Sequence, residues 1–271
     1  MVDAIQVVNL SKQFPCVGAG WGLLRLPFAH GNGHRSLDQI SLTVKPGEVF
    51  GLVGPNGAGK TTLLKILCTL LEPDQGRAAV MGYDVVEQAA AARRQLGYCP
   101  GFERSFYLRL SARENLRFYG ILNNLSPRLL ARRMSDLLAA LELAAAANQP
   151  VQTFSTGMLQ RLAVARALLH GPRVALFDEP TRSLDPAGAA WLRQYLRGEL
   201  ADRQAMTILL ATHNLSEIEE ICDRVAVLNR GCVVALGTPA AICRQTGAVT
   251  LADAYLRLTR REDLPGESAL R

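Results

Sequence analysis

A glycine-rich run that follows a short apolar segment constrains the fold of this chain more than any other feature. The run fits the pattern GxxxxGK followed by Ser or Thr, and it consists of Gly54, Pro55, Asn56, Gly57, Ala58, Gly59, Lys60, Thr61 and Thr62. It follows an apolar strand candidate at Val49–Val53 and precedes a helix predicted over residues 63–70. A glycine turn between a buried strand and a helix N-terminus presents backbone N–H groups that suit a phosphate ligand.

The lysine and threonine of this run match the chemistry of a nucleotide phosphate. We expect the Lys60 ammonium to reach the β and γ phosphates, and the Thr61 hydroxyl to face Mg²⁺. The plainer alternative is a glycine-rich turn that binds nothing. The strand before the run and the helix after it favour phosphate binding.

Two carboxylates end a second apolar run. Residues 174–177 are apolar and are followed by Asp178 and Glu179. A buried parallel strand would deliver Asp178 to its C-terminal edge beside the phosphate loop, where it would hold Mg²⁺ through water together with Thr61. Glu179 would orient and deprotonate an attacking water. Alone, the pair would be interpreted as surface acids, but next to a phosphate loop the catalytic interpretation is favoured.

A histidine follows a third strand candidate. His213 comes directly after residues 207–212 and before a helix predicted to begin at Asn214. Its position at a strand end makes it a candidate sensor of the γ-phosphate. A solvated residue at a helix N-terminus is the alternative, and the sequence leaves both open.

Strand-like and helix-like segments alternate along the chain, which predicts an α/β fold. Alternating apolar residues at 40, 42 and 44, followed by a turn at 45–48, predict a hairpin of an antiparallel edge sheet that leads into Val49–Val53. A second hairpin is predicted over residues 225–236, with its turn at 229–231.

The strand signal disappears between about residues 101 and 170, which predicts an inserted helical subdomain. Ser111 and Glu114 have the spacing of a capping box, and Ser126 precedes a proline suited to the first helical position. The segment at about residues 15–36 is glycine-rich, which predicts an amphipathic or loop insertion. The tail over about 241–271 is expected to hold one short helix.

Length and composition exclude several classes of protein. The chain has 271 residues, 49% of them hydrophobic and 20% charged, which suits one large domain with an embedded subdomain. No apolar run reaches the roughly 18 residues of a membrane span, and the N-terminus does not resemble a signal peptide, so we expect a cytoplasmic protein. The net charge of +6 permits contact with nucleic acid or an anionic membrane without requiring it. Six scattered cysteines predict reduced thiols.

Taken together, these motifs resemble those of the nucleotide-binding subunit of an ATP-binding cassette (ABC) transporter, in the family's order over roughly residues 1–240. The resemblance identifies the family's LSGGQ signature with Ser155, Thr156, Gly157 and Met158. It also identifies Asp185 with the D-loop, His213 with the H-switch, and Phe14 with the aromatic residue that stacks on adenine.

The resemblance implies a phosphate-loop, RecA-like ATPase core with an antiparallel β edge subdomain and an inserted helical subdomain. It implies binding of ATP and Mg²⁺, with Glu179 and His213 as catalytic residues. Two ATP molecules would lie in a head-to-tail dimer, formed with a second copy or with a paralogous subunit. A separate integral-membrane permease, of an exporter of drugs, lipids or polysaccharides, would hold the chain peripherally on the inner face of the cell membrane. We expect no nucleic acid partner.

Some positions depart from the family pattern. Gly101 stands where the Q-loop glutamine is expected, with Glu103 nearby as a substitute, and Thr156 and Met158 replace a glycine and a glutamine of the signature. We therefore hypothesise that ATP binding is intact while hydrolysis is slow or differently coupled.

Two alternative functions stay open within this family. One is a non-transport ABC ATPase that acts on nucleic acid or ribosomes, and the other is a weakly hydrolysing partner in a heterodimer. GTPases are excluded because the four lysines of the chain provide no Asn-Lys-x-Asp motif.

Overall fold

The computed structural model describes residues 2–15, 33–101 and 105–259. These residues form ten strands: β1 (Ile5–Phe14), β2 (His34–Val44), β3 (Val49–Val53), β4 (Gln75–Val80), β5 (Tyr83–Asp84), β6 (Leu96–Cys99), β7 (Val174–Asp178), β8 (Thr207–Thr212), β9 (Arg224–Asn229) and β10 (Cys232–Gly237). The α-helices are α1 (Lys60–Leu67), α2 (Ala89–Gln95), α3 (Ala112–Leu122), α4 (Pro127–Ala140), α5 (Thr156–Leu168), α6 (Pro186–Gln194), α7 (Leu215–Ile221), α8 (Pro239–Thr246) and α9 (Leu251–Thr259). A π-helical segment (Tyr195–Arg203) continues α6, and 3₁₀ turns lie at Ala144–Ala146 and Val151–Thr153.

The larger sheet has six strands in the order β10-β9-β3-β8-β7-β6. The strands from β9 to β6 pair in parallel, and β10 closes one edge as the antiparallel arm of the predicted hairpin. Every residue of β3, β7 and β8 is buried, because helices or the second sheet cover both faces of this sheet. The predicted α/β fold is confirmed.

The smaller sheet is antiparallel, in the order β2-β1-β4-β5. The end of β2 alternates between buried and exposed residues, as a strand with one covered face does. The predicted antiparallel edge sheet that leads into the buried strand β3 is present, but the turn at 45–48 closes no hairpin, because β2 pairs with β1. The turn after Val44 instead carries the chain from one sheet into the other, and β3 is buried on both faces in the second sheet.

The described residues from 105 to 173 form helices joined by turns and contain no strand, apart from one isolated bridge between Ser111 and Pro150. The predicted capping box at the start of α3 forms, since Ser111 accepts from the Glu114 N–H and the Glu114 carboxylate accepts from the Ser111 N–H. Ser126 and Pro127 begin α4 as predicted. A buried apolar cluster joins these helices to α5 and includes Leu116, Leu130, Met134, Leu138 and Leu162.

Three predicted boundaries differ from the structure. Helix α1 occupies Lys60–Leu67 rather than 63–70, because the left-handed backbone at Gly59 (φ 104°) ends the loop one residue before Lys60. The tail holds two helices, α8 and α9, rather than one. Of the predicted insertion at 15–36, residues 16–32 lie outside the described part of the chain, and residues from His34 onward belong to β2.

The helices of the described ranges are short relative to a bilayer. The longest single α-helix among them, α4, has 14 residues, or roughly 21 Å at about 1.5 Å per residue, against a hydrocarbon core of about 30 Å. Helix α6 and its π-helical continuation together run from Pro186 to Arg203, and their second half is rich in charged residues. No helix in those ranges combines the length and the apolar character needed to cross a membrane.

The two serine N-caps of α3 and α4 offer a matched test of capping energy. Replacing Ser111 by Ala removes the bonds of its hydroxyl to the N–H and the carboxylate of Glu114, so we expect the free energy of unfolding in urea to fall by about 1 kcal/mol. Ser126→Ala is the control, because Ser126 makes no side-chain cap hydrogen bond and is exposed. Equal losses for the two variants would contradict the assigned role of the Ser111 hydroxyl.

Candidate functional site

The order of the strands in the larger sheet brings the three segments that carry the candidate catalytic residues to one edge of that sheet. Strand β8 lies between β3 and β7, and all three are parallel, so their carboxyl ends share one edge of the sheet. Val53 pairs with Thr212, and Asp178 pairs with Ala211. The glycine loop, the carboxylate pair and His213 therefore emerge side by side.

The lysine of the glycine loop is held inside the loop's curve. Lys60 is nearly buried, and its Nζ donates to the carbonyl oxygens of Gly54 at 2.6 Å and Pro55 at 3.2 Å. Burial lowers the pKa of Lys60, while the carboxylates of Glu179 and Asp178 oppose that shift. The ammonium is thus a cation with carbonyl and carboxylate neighbours at the point where a phosphate would enter.

A hydroxyl and a carboxylate meet beside this lysine. Thr61 Oγ1 donates to Asp178 Oδ2 at 2.9 Å, although the two residues are 117 positions apart in the chain. Burial raises the pKa of Asp178, whereas the bond from Thr61 lowers it and nearby Glu179 raises it further. These two oxygen ligands are of the hard type that Mg²⁺ prefers.

Glu179 and His213 contact each other directly, Oε2 of the glutamate against Nδ1 of the imidazole. Glu179 has a left-handed backbone (φ 51°) and is tied to β8 by a 2.8 Å bond from its N–H to the Ala211 carbonyl. A glutamate in this conformation is strained, and such strain is common in functional sites. The histidine side chain is 56% exposed, and His213 is not among the residues that line the cleft to which Glu179 contributes. The sequence predicted both residues as candidates but not their contact.

Most of these groups line one cleft of about 810 Å³, but the predicted residues Gly54, Pro55 and His213 are not among its lining residues. Of the predicted residues it includes Asn56, Gly57, Ala58, Gly59, Lys60, Thr61, Thr62, Asp178 and Glu179. The sequence analysis missed His34, Ser36, Lys65, Tyr98 and Arg182, which also line the cleft, as does Ser183 of the segment that resembles the D-loop. Tyr98 lies near the carboxyl end of strand β6, at the same edge of the sheet as the predicted residues. Ser36, which hydrogen-bonds Thr62 at 2.8 Å, had no sequence signal because it lies in a different sheet.

The residues that resemble the family signature lie in a different cleft. Ser155, Gly157, Met158 and Asp185 line a hollow of about 270 Å³, and none of the four lines the larger cleft. Ser155 caps α5 by accepting from the Met158 N–H at 3.3 Å, while Thr156 is exposed at the first position of that helix. One chain therefore keeps its phosphate loop and its signature apart.

Asp185 and Phe14 have structural surroundings that the sequence did not predict. The Asp185 carboxylate caps α6 by accepting from the Gly188 N–H at 2.9 Å. Phe14 ends β1, lies under the Lys12 ammonium and pairs with His34, which reaches the cleft, but Phe14 is not among the lining residues of that cleft.

Gly101 packs tightly against the carboxylate segment. A Cβ added to Gly101 would lie 2.5 Å from the Asp178 carbonyl oxygen and 3.2 Å from the Glu179 Cβ. The backbone at 101 therefore approaches the end of β7 more closely than any side chain there would allow. Glu103, the predicted substitute for the Q-loop glutamine, lies outside the described residues.

Comparison with known proteins identifies a family. A family model described as ABC transporter matches residues 37–182, more than half of the chain. The ABC transporter ATP-binding protein NatA of Bacillus subtilis is 38% identical over 203 residues, which cover 75% of this chain and 82% of the relative. The daunorubicin resistance ATP-binding protein DrrA3 of Streptomyces coeruleorubidus is 39% identical over 213 residues, which cover 79% of this chain and 66% of the relative.

Solved structures agree with these matches. An ATP-binding subunit of an ABC transporter has a TM-score of 0.79 at 30% identity, covering 95% of this chain and 100% of that chain. A dimeric ATP-binding cassette in a post-hydrolysis state, bound to ADP and Pi, has a TM-score of 0.72 at 25% identity and covers 86% of this chain and 98% of that one. The motifs, the fold and the relatives thus converge, and the chain belongs to the ABC transporter family as one of its ATP-binding subunits.

Proposed function

We propose that this chain hydrolyses ATP to power a separately encoded membrane permease, and that the complex exports a cargo of the drug, lipid or polysaccharide class. The observation that carries the ATPase part is the convergence of Lys60, Thr61, Asp178, Glu179 and His213 at one edge of the sheet. The name of the relative DrrA3, a drug-resistance ATP-binding protein, supports the export part.

The glycine loop and α1 bind the phosphates of ATP in this proposal. No side chain caps α1, so its first N–H groups are free to face an anion, and the helix dipole favours negative charge there. Lys60 turns from the carbonyls of Gly54 and Pro55 to the β and γ phosphates. Thr61 and Asp178 hold Mg²⁺, which neutralises phosphate charge when it is bound.

Glu179 and His213 act on the attacking water. The Glu179 carboxylate accepts a hydrogen bond from the water, orients it towards the γ-phosphorus and takes its proton as the P–O bond to the leaving group breaks. The imidazole of His213, which contacts the same carboxylate, keeps Glu179 oriented and faces the γ-phosphate.

A second subunit completes the site. The hollow that the signature residues line is separate from the larger cleft, which the glycine loop lines. Ser155, Thr156, Gly157 and Met158 therefore contact an ATP held by the partner. Asp185 lies at the same interface. The N-terminus of α5 contributes favourable dipole charge to that contact. The partner is a second copy of this chain or a paralogous subunit. Phe14 stacks on the adenine, beside the cleft that His34 lines.

An exposed apolar patch is the proposed docking surface for the permease, at the inner face of the cell membrane. The patch consists of Tyr107, Leu108, Phe118, Ile121 and Leu122 on the loop before α3 and on α3 itself. The rings of Tyr107 and Phe118 meet edge-on with centroids 5.0 Å apart. A patch of this kind on a folded surface usually marks an interaction site.

We propose that the chain consists of one ATPase domain and a short C-terminal tail. Residues 1–240 form the ABC ATPase domain, with the helical subdomain at about 101–170. Residues 241–271 form a short C-terminal helical tail.

Glu179→Gln tests the catalytic assignment. The amide cannot accept the water's proton, so we expect ATP turnover to fall by about 100-fold or more while ATP binding is retained. Phosphate release and nucleotide binding would both be measured on purified protein. Glu72→Gln, on an exposed residue, is the control. Equal turnover by Glu179→Gln and the wild type would mean that Glu179 is not the base.

Gly101→Ala tests the close approach of the 101 backbone to β7. Because the new Cβ must displace the Asp178 carbonyl, we expect kcat to fall by about tenfold or more, with a smaller change in ATP affinity. Gly198→Ala is the matched control, since a Cβ there meets nothing within 4 Å. Unchanged kcat in Gly101→Ala would show that this packing is dispensable.

Glu103→Ala tests the hypothesis that Glu103 replaces the Q-loop glutamine. A slow wild-type rate that Glu103→Ala lowers further would support it. A fast wild-type rate that Glu103→Ala leaves intact would exclude it.

Ile121→Glu and Leu122→Glu test the docking surface. A charge on the patch opposes burial against a permease, so we expect each variant to lose co-purification with solubilised membrane protein from the native host. The ATPase rate of the purified variants should stay within about twofold of the wild type, because the patch lies outside both clefts. Val249→Glu, on another exposed apolar residue, is the control. Full retention of a membrane partner by both patch variants would refute this docking site.

A further inference from the structure

A buried glutamate lies beside the cleft and has no role in the mechanism above. Glu217, in the first turn of α7, is only 1% exposed. Its Oε1 accepts from the Thr181 hydroxyl and, at a long 3.5 Å, from the Asn214 side-chain amide. Its buried Oε2 has no hydrogen-bond partner among the described residues. Burying a carboxylate that is only half satisfied is costly, so its retention calls for a compensating function.

The partners of Glu217 each lie next to a catalytic candidate. Thr181 follows Glu179 by two residues, and Asn214 follows His213 directly. Since Glu179 also contacts His213, the five residues form a closed ring of contacts between the segment after β7 and the segment after β8. Glu217, which is buried, closes this ring through its contacts with Thr181 and Asn214.

Little else holds His213 in place. Its side chain is more than half exposed, so packing does not define its orientation. The Asn214 N–H donates to Thr212 Oγ1 at 3.0 Å, and Asn214 Oδ1 accepts from the Ser216 N–H at 3.1 Å, which fixes the start of α7 to β8. Besides the contact of His213 with Glu179 itself, the Thr181–Glu217 bond ties this helix start to the segment that carries Glu179.

We propose that Glu217 and Thr181 are positioning residues that hold the His213 ring against Glu179 by cross-linking the two segments. Neither residue touches the reacting atoms. Their effect on catalysis rests on the proposed ATPase function, whereas their effect on His213 does not. A small displacement of a catalytic group is enough to slow a reaction by a large factor, which is how a remote bond would control turnover.

The spectroscopic arm of the test uses the small number of histidines. The chain has four, so the ring resonances of His213 can be assigned in an NMR spectrum of the full-length protein by their loss in His213→Ala. We expect Thr181→Val, which keeps the side-chain shape but removes the hydroxyl, to move the His213 ring resonances. His170, which bonds the Leu96 carbonyl elsewhere in the fold, serves as the internal control and should not move. Thr181→Ser should restore the wild-type position.

The kinetic arm measures turnover on the same proteins. We expect Thr181→Val to lower kcat by about tenfold with KM for ATP changed less than about twofold, and Thr181→Ser to recover most of the loss. Glu217→Leu removes the acceptor of the same hydrogen bond and should lower kcat by a similar factor. The double variant with Thr181→Val should lower kcat little further, because both substitutions break the same bond.

The outcomes separate the two proposals. His213 resonances that stay fixed in both Thr181→Val and Glu217→Leu would overturn the positioning role, as would kcat losses that simply multiply in the double variant. If Glu217→Leu does not fold, Thr181→Val and Thr181→Ser still decide the question. A wild-type protein without ATPase activity would refute the proposed function, while the NMR result would still decide whether Thr181 positions His213.

Discussion

The pairing of β8 between β3 and β7 is the constraint on which the rest of the site depends. Parallel hydrogen bonding aligns the carboxyl ends of these strands, and full burial on both faces keeps their register from slipping. Residues more than 100 positions apart, such as Thr61 and Asp178, come within hydrogen-bond distance for this reason alone. A register shift of one residue in β7 would turn Asp178 away from Thr61 and towards the opposite face.

The buried Lys60 ammonium and Asp178 carboxylate each favour the charged form of the other. Lys60 and Asp178 are both shifted by burial towards their neutral forms, but each also feels the opposite charge of the other. Carbonyls of the glycine loop satisfy the ammonium, and the Thr61 hydroxyl satisfies the carboxylate. The same arrangement leaves the N–H groups at the start of α1 without a side-chain cap, so the cleft is prepared for an anion.

The separation of the two clefts shapes the proposed function. A chain whose signature and phosphate loop lie in different hollows cannot surround a nucleotide alone, and this agrees with the dimeric cassette among its structural neighbours. The strained Glu179 lines the larger cleft, and the histidine that it contacts follows the adjacent strand β8.

Local sequence patterns predicted several elements of the fold and of the site. Short-range patterns in the sequence are enough to predict four features. They are the glycine loop, the alternation of strands and helices, the capping box of α3 and the carboxylates at the end of β7. Tertiary structure alone decided that β2 pairs with β1, that Ser36 reaches Thr62, that Glu179 touches His213 and that Glu217 is buried beneath them. The physical reason is that these contacts join residues 20 or more positions apart, and only the packing of the two sheets and their helices brings such residues together.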